Sequence, residues 1–242
     1  MSDRVKQIAS QLNYPRGLLA GQVAIITGSG QGIGAERARL FANEGAKVIV
    51  SDIDVAKAKN VADKIIAKGG EALSVPGDLL NDEYIKELIM KAAEFGGGKI
   101  HIIVNNAGFH GMLLSTRSNQ TSLPMTDKHW NTIVALHATV PFKIVREAAP
   151  FFRVKDGEPR NIVNVSSTSG LHGNAGQLNY AMAKAGVVGL TKTIAKEWGP
   201  AFSVRANTIA FGYIESRLTT NKEAGAFVEV DGLKAPLGIP GN

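Results

Sequence analysis

Three side chains in the middle of the sequence could do acid–base chemistry together. They are Ser167, Tyr180 and Lys184, in the stretch NIVNVSSTSGLHGNAGQLNYAMAKA (residues 161–185). Residues four apart on a helix share a face, so the Tyr180 phenol and the Lys184 ammonium can point at one place. A nearby positive charge favours the phenolate and lowers the phenol's pKa. That makes Tyr180 a candidate proton donor and acceptor near neutral pH. Ser167 lies thirteen residues upstream, just past the apolar run Ile162–Val165, and its hydroxyl could hydrogen-bond a substrate oxygen in the same space. Taken alone, the pattern also suits an exposed helix face and an ordinary Ser-Ser turn, so its context decides.

The elements around it read as alternating strands and helices. QVAIIT (Gln22–Thr27) is a buried strand, β-branched and uncharged, followed at once by GSGQGIG and a helix that ends in glycine. Then come a strand (Ala46–Ser51), a helix (Val55–Lys68), a strand (Ala72–Val75), a helix (Asp82–Phe95) and a strand (Ile100–Asn105). A long helix over Asp127–Phe152 contains Pro141, where a kink is expected. The strand Ile162–Val165, a helix through Trp198 and a strand Val204–Ile209 complete six strands. The pattern predicts an α/β fold: a single Rossmann-type, doubly wound parallel sheet in a three-layer αβα sandwich, with right-handed crossovers. Residues 1–20 read as a leader and residues 21–242 as one domain, without internal repeat or linker. The loop at 109–124 is long for such a domain and follows the carboxyl end of a strand, where these sheets bind ligands.

Composition excludes several function classes. The absence of cysteine removes disulfides, thiol nucleophiles and cysteine-rich zinc sites, and fits a cytoplasmic protein. No apolar run reaches the ~18 residues of a membrane span, and the first residues carry no signal-peptide core. The net charge of +6 comes from Lys and Arg interleaved with Asp and Glu rather than from a block, so solvated helix faces explain it and no nucleic-acid partner is expected.

Gly28, Gly32 and Gly34 lie between the first strand and the first helix. Glycines there permit a tight turn and close approach of a phosphate, and the helix N-terminus offers free N–H groups to a pyrophosphate. Asp52 ends the second strand, eighteen residues past Gly34, where a carboxylate can accept hydrogen bonds from an adenosine ribose and repel a 2′-phosphate. Neither Gln31 nor Ile53 supplies a cation for that phosphate, so NAD is expected in preference to NADP. Asp52 also suits a helix N-cap, a task that Asp54 could take instead.

TGSGQGIG (27–34), NNAG (105–108) and the Ser167, Tyr180, Lys184 constellation together resemble the short-chain dehydrogenase/reductases over about residues 20–240. The glycine spacing is that family's TGxxxGxG, whereas a GxGxxG counted from Gly28 fails at Ile33. The loop GLHGNAGQLNYAMAKAG is most similar to bacterial-type 3-oxoacyl-acyl-carrier-protein reductases. The resemblance implies that Gly28, Ser29, Gln31, Gly32, Ile33 and Gly34 cradle the cofactor phosphates, and that Asp52, with Ile53 beside it, holds the adenosine ribose. Asp78 and Leu79 would flank the adenine. Asn106, Ala107 and Gly108 would line the cofactor while Asn105 ties the sheet together, and Gly212 and Ile214 would sit by the carboxamide. Tyr180 would exchange the proton, Ser167 would position the oxygen, and Lys184 would hold the nicotinamide ribose; no metal is needed. The spacing to the tyrosine selects Ser167, and Ser166 should face the opposite side of its strand.

Three positions depart from the family pattern. His137 stands seven residues after Trp130, where the family has a catalytic asparagine that holds water in a proton relay. A histidine can hold water as well, or can be a core residue bonded to a carbonyl. Phe211 replaces the usual proline before Gly212, which suggests a less rigid loop. The sequence also ends at PLGIPGN, before the family's last helix and edge strand, so the sixth strand is expected to be uncovered.

The activity implied is interconversion of a ketone and a secondary alcohol, with a small-molecule carbonyl or acyl thioester as substrate and a 3-oxoacyl thioester first among them. A general secondary alcohol or steroid-like ketone is the alternative within the same chemistry, and a catalytically silent dinucleotide-binding regulator is the alternative outside it. A homo-oligomer, dimer or tetramer, is implied as well, and no membrane partner.

Overall fold

The computed structural model describes residues 17–108, 125–174, 176–212, 214, 227–230 and 233–236. Most of the leader and all of the loop at 109–124 therefore lie outside the described residues.

Six parallel strands, β1 (Val23–Thr27), β2 (Lys47–Ser51), β3 (Glu71–Ser74), β4 (Ile102–Asn105), β5 (Arg160–Ser167) and β6 (Val204–Phe211), form one sheet in the order β3-β2-β1-β4-β5-β6. Every strand lies within two residues of the boundaries read from the sequence. The helices are α1 (Gly32–Asn43), α2 (Val55–Ile66), α3 (Asp82–Phe95), α4 (Asp127–Val134), α5 (Val140–Phe152), the short α6 (Thr168–His172) and α7 (Leu178–Phe202).

Side chains alternate between the faces of a strand, and the buried residues of the sheet divide accordingly. Ile25, Ile49, Ile103 and Ile162 pack with α3, α5 and α7. Ala24, Ile26, Val48, Val50, Ile102 and Val104 pack with α1 and α2. This is the three-layer sandwich. Strand order reverses between β1 and β4, and at such a switch point the carboxyl ends of the strands open a crevice. Thr27, Asn105 and Ser167 all end strands there. Among the described residues β6 has only β5 as a neighbour, and its Arg205, Asn207 and Ile209 are exposed.

Two features differ from the sequence reading. The long helix expected over Asp127–Phe152 is divided by a π-helical turn, Ala135–Thr139, so the interruption falls before Pro141 rather than at it. Pro141 then occupies the first turn of α5, directly after the π turn. The π turn carries His137 and turns its ring inward. The second feature is an antiparallel pair, β7 (Phe227–Val230) and β8 (Leu233–Pro236), in a stretch to which the sequence reading gave no element.

Candidate active site

The first wall of the crevice is the glycine turn after β1. Gly28 has φ 64°, and a Cβ on it would lie 2.7 Å from Ala107 Cα. A Cβ on Gly34 would lie 2.2 Å from the Gly28 carbonyl oxygen. The turn thus folds onto itself and onto the segment after β4, with no room for side chains. Helix α1 starts at Gly32, its first N–H groups have no intrahelical partners, and no side chain at Gln31 caps them. Such a cradle fits an anion, and the pyrophosphate of a dinucleotide in particular.

Ser29 requires a correction. Its hydroxyl is fully buried, donates to the Ile26 carbonyl at 2.6 Å and accepts from Ser51 N–H at 3.1 Å. Its own N–H donates to the Ser51 carbonyl at 3.0 Å. Ser29 fastens the turn after β1 to β2 and presents neither group to a phosphate, because the Ile26 carbonyl and the Ser51 backbone take up both.

Asp52 accepts from Gly30 N–H at 2.9 Å and from Asp54 N–H at 3.0 Å, so its carboxylate is held over the glycine turn. The N-cap of α2 is Asp54, which accepts from Lys57 N–H at 3.1 Å. Lys57 flanks the same turn, but its ammonium is paired with Asp54 at 2.5 Å. Ile53 is exposed, and so is Asp78, whose carboxylate accepts from Leu80 N–H at 2.9 Å; Leu79 is buried.

The second wall is the NNAG segment. Asn105 donates to Asn164 at 2.7 Å, and Asn164 donates to Thr191 at 2.9 Å, so a buried polar chain joins β4, β5 and α7. Asn106 Nδ2 donates to the carbonyls of Thr27 (2.9 Å) and Gly28 (3.2 Å). The N–H groups of Asn106 and Ala107 both donate to Thr27 Oγ1, each at 3.0 Å. Thr27 and Arg37, whose Nη1 donates to Asn106 Oδ1 at 2.7 Å, are site residues that the sequence reading missed. A polar residue closing an otherwise apolar strand was the available signal for Thr27. A Cβ on Gly108 would lie 2.5 Å from His137 Cε1, so a glycine there is what makes room for the histidine.

The third wall carries the acid–base residues. Ser166 faces the helix layer and donates to the Lys184 carbonyl at 2.7 Å, while Ser167 is directed to the other side, as alternation requires. Ser167 Oγ accepts from Ser169 N–H at 3.1 Å, and its hydroxyl lies close enough to the Tyr180 phenol to lower its pKa. Helix α6 lies so tightly on α7 that a Cβ on Gly170 would fall 2.7 Å from the Lys184 carbonyl carbon. Lys184 is buried, with its Nζ donating to the Val165 carbonyl at 2.6 Å and lying 5.7 Å from the centre of the Tyr180 ring. The His137 ring meets Tyr180 edge-on, with centres 5.1 Å apart and planes at 81°. Gly212 and Ile214 are exposed just past the end of β6.

The structure therefore brings Ser167, Tyr180, Lys184 and His137 together, but it corrects the electrostatics. The Tyr180 pKa lies above the ordinary phenol value, since burial raises it more than the Ser167 hydrogen bond lowers it. Burial also lowers Lys184 to about 8. The expected lowering of the phenol by Lys184 is absent: burial raises it, and Ser167 alone lowers it. Among the described residues no group of three or more His, Asp or Glu could hold a metal ion.

A parallel sheet with a glycine cradle at its switch point, and a tyrosine, lysine and serine beside it, defines a dinucleotide-dependent oxidoreductase. The short chain dehydrogenase family profile matches residues 22–226, and the chain belongs to that family. It uses a nicotinamide dinucleotide. Over 209 residues it is 36% identical to 3-oxoacyl-[acyl-carrier-protein] reductase FabG of Thermotoga maritima, covering 83% of this chain and 77% of that one. Over 202 residues it is 38% identical to hydroxyacyl-CoA dehydrogenase ChsB1 of Mycobacterium tuberculosis, covering 79% of this chain and 61% of that one. A short chain dehydrogenase crystal structure from Mycobacterium smegmatis superposes with TM-score 0.74 at 32% identity, covering 83% of this chain and 80% of that one.

Proposed function

We propose that the protein interconverts 3-oxoacyl and 3-hydroxyacyl thioesters with NADH and NAD. The observation that carries the chemistry is the Tyr180 phenol gathered with Ser167 beside it, the Lys184 ammonium 5.7 Å from its ring and the His137 ring edge-on to it. The thioester class is supported by relatives named for 3-oxoacyl and hydroxyacyl carriers.

When bound, the reduced nicotinamide supplies the hydride that adds to the carbonyl carbon. Ser167 donates a hydrogen bond to the ketone oxygen and holds it beside the Tyr180 hydroxyl. Tyr180 transfers its proton to that oxygen as charge develops there. Its raised pKa keeps the phenol protonated at neutral pH, which suits an acid in the reductive direction. Lys184, protonated below about pH 8, offsets the charge left on the phenolate. An assay of NADH oxidation across a panel of 3-oxoacyl thioesters, simple ketones and steroid ketones tests the reading. No turnover anywhere in the panel would favour the silent regulator.

The NAD preference is supported by the Asp52 carboxylate standing over the glycine turn and by the pairing of Lys57 with Asp54. Asp52→Ala is expected to lower the ratio of kcat/KM with NADH to that with NADPH by about tenfold, equivalent to ~1.4 kcal/mol. Asp52→Asn keeps an acceptor for Gly30 N–H without the charge, and should lower the ratio too. An unchanged ratio in both variants would remove Asp52 from ribose recognition.

His137 is proposed to stand in for the asparagine that the resemblance places there, and its ring packs edge-on against Tyr180. His137→Asn is expected to retain or raise turnover, and a complete loss would show a separate task for the imidazole. Gly108→Ala is expected to cost about 1–3 kcal/mol through overpacking against that ring. Combining it with His137→Asn should restore most of the loss, a coupling that thermal unfolding of the single and double variants measures.

A further inference from the structure

We propose that Arg37 is a positioning residue for the nicotinamide end of the cofactor, strapping the segment after β4 to the turn after β6. The inference rests on the oxidoreductase reading above. Arg37 lies on α1, three residues beyond Gly34, and its Nη1 donates to Asn106 Oδ1 at 2.7 Å. Its guanidinium carbon lies 5.1 Å from the centre of the Phe211 ring. Asn106 follows the end of β4, and Phe211 ends β6, in register with Ser167 of β5. Since β5 lies between β4 and β6, the two anchor points are about two strand spacings, or ~10 Å, apart. Arg37 therefore crosses the end of the strand that carries Ser167.

The residue type fits the task. A guanidinium can stack its face on an aromatic ring while its edge donates a directed hydrogen bond, whereas an ammonium cannot do both. Arg37 is half-buried, burial lowers its pKa, and among the described residues no carboxylate pairs with it. A cation kept in such a place without an acidic partner is costly unless its position matters. The loop it steadies is the one where Phe211 stands before Gly212, so a contact from outside the loop supplies what the backbone of Phe211 does not. The glycine turn itself does not depend on Arg37. Asn106 remains fixed to Thr27 and Gly28 by its Nδ2 and by its own N–H.

The test separates the two ends of the cofactor. Dissociation constants are measured by fluorescence titration for whichever of NADH and NADPH the unsubstituted protein binds more tightly, and for its adenosine fragment, ADP or 2′,5′-ADP. Arg37→Ala is expected to weaken the dinucleotide about tenfold and the fragment less than twofold. Arg37→Gln, which keeps a donor for Asn106 and disturbs folding less, should show the same split at about threefold. Phe211→Leu should reproduce it, and Arg37→Ala with Phe211→Leu should be no weaker than the weaker single variant. Equal weakening of dinucleotide and fragment, or no change in either, overturns the strap while leaving the oxidoreductase reading intact. Failure of the unsubstituted protein to bind either dinucleotide removes that reading, and this inference with it.

Discussion

Replacing Tyr180 with phenylalanine is expected to lower kcat about 10³-fold, within the range that general acid–base groups contribute, and to leave dinucleotide affinity within twofold. The ring is retained, so its edge contact with His137 and its packing survive and only the hydroxyl is lost. That hydroxyl lies beside Ser167 and near Lys184 and carries a proton throughout the neutral range. Steady-state kinetics with a 3-oxoacyl thioester and a separate cofactor titration give the two readouts. Residual turnover within tenfold of the unsubstituted protein would mean that another group delivers the proton. A parallel loss of cofactor binding would instead place Tyr180 in holding the dinucleotide rather than in chemistry.

Lys184→Met is expected to inactivate the protein and yet stabilise it. Burial takes the ammonium from an ordinary 10.5 to about 8 in the folded chain, a shift of about 3 kcal/mol at ~1.4 kcal/mol per pH unit. The unfolded chain binds the proton more tightly, so that cost is fully present below pH 8 and disappears as pH rises from 8 to 10.5. Methionine removes the charge but leaves the Val165 carbonyl without its donor, which returns about 1 kcal/mol. The net gain of ~2 kcal/mol corresponds to a Tm increase of about 5 °C at pH 7 for a chain of this size. The gain should shrink above pH 8 and turn into a loss of about 1 kcal/mol above pH 10.5, where only the missing Val165 hydrogen bond counts. A lower Tm for the methionine variant at pH 7 would show that the buried ammonium is no burden, and its retention would then need no functional reason. Strain of this kind at a functional position is the usual trade of stability for activity.

How much of this was legible beforehand differs from residue to residue. Strands β1, β2 and β4 could be read because each is a short apolar run between glycine-rich or polar breaks, and burial on both faces demands that pattern. Helix α3 could be bounded at Asp82 and Phe95 because an asparagine cap precedes it and glycines follow it. The glycine turn could be placed because only glycine fits where a Cβ would strike backbone at 2.2–2.7 Å. The inward turn of Ser29 could not be read, since SGQG looks like an open phosphate loop until Ser51 is known to lie against it. The π turn was equally hidden. Proline signals an interruption, but where the helix widens depends on seating His137 between Gly108 and Tyr180.

The sequence by itself determined the α/β alternation, the glycine cradle and the identity of the serine, tyrosine and lysine. These are consequences of periodicity, backbone sterics and spacing along one helix, all of which are local. Only the tertiary structure decided how those groups ionise and what holds them. The energy of a buried phenol or ammonium is set by the solvent it has lost and by neighbours far away in the chain, so Tyr180 moved up where proximity to a charge had suggested down. The same holds for Arg37, which looks like one more surface cation in AERARLF until the ends of β4 and β6 are folded against it.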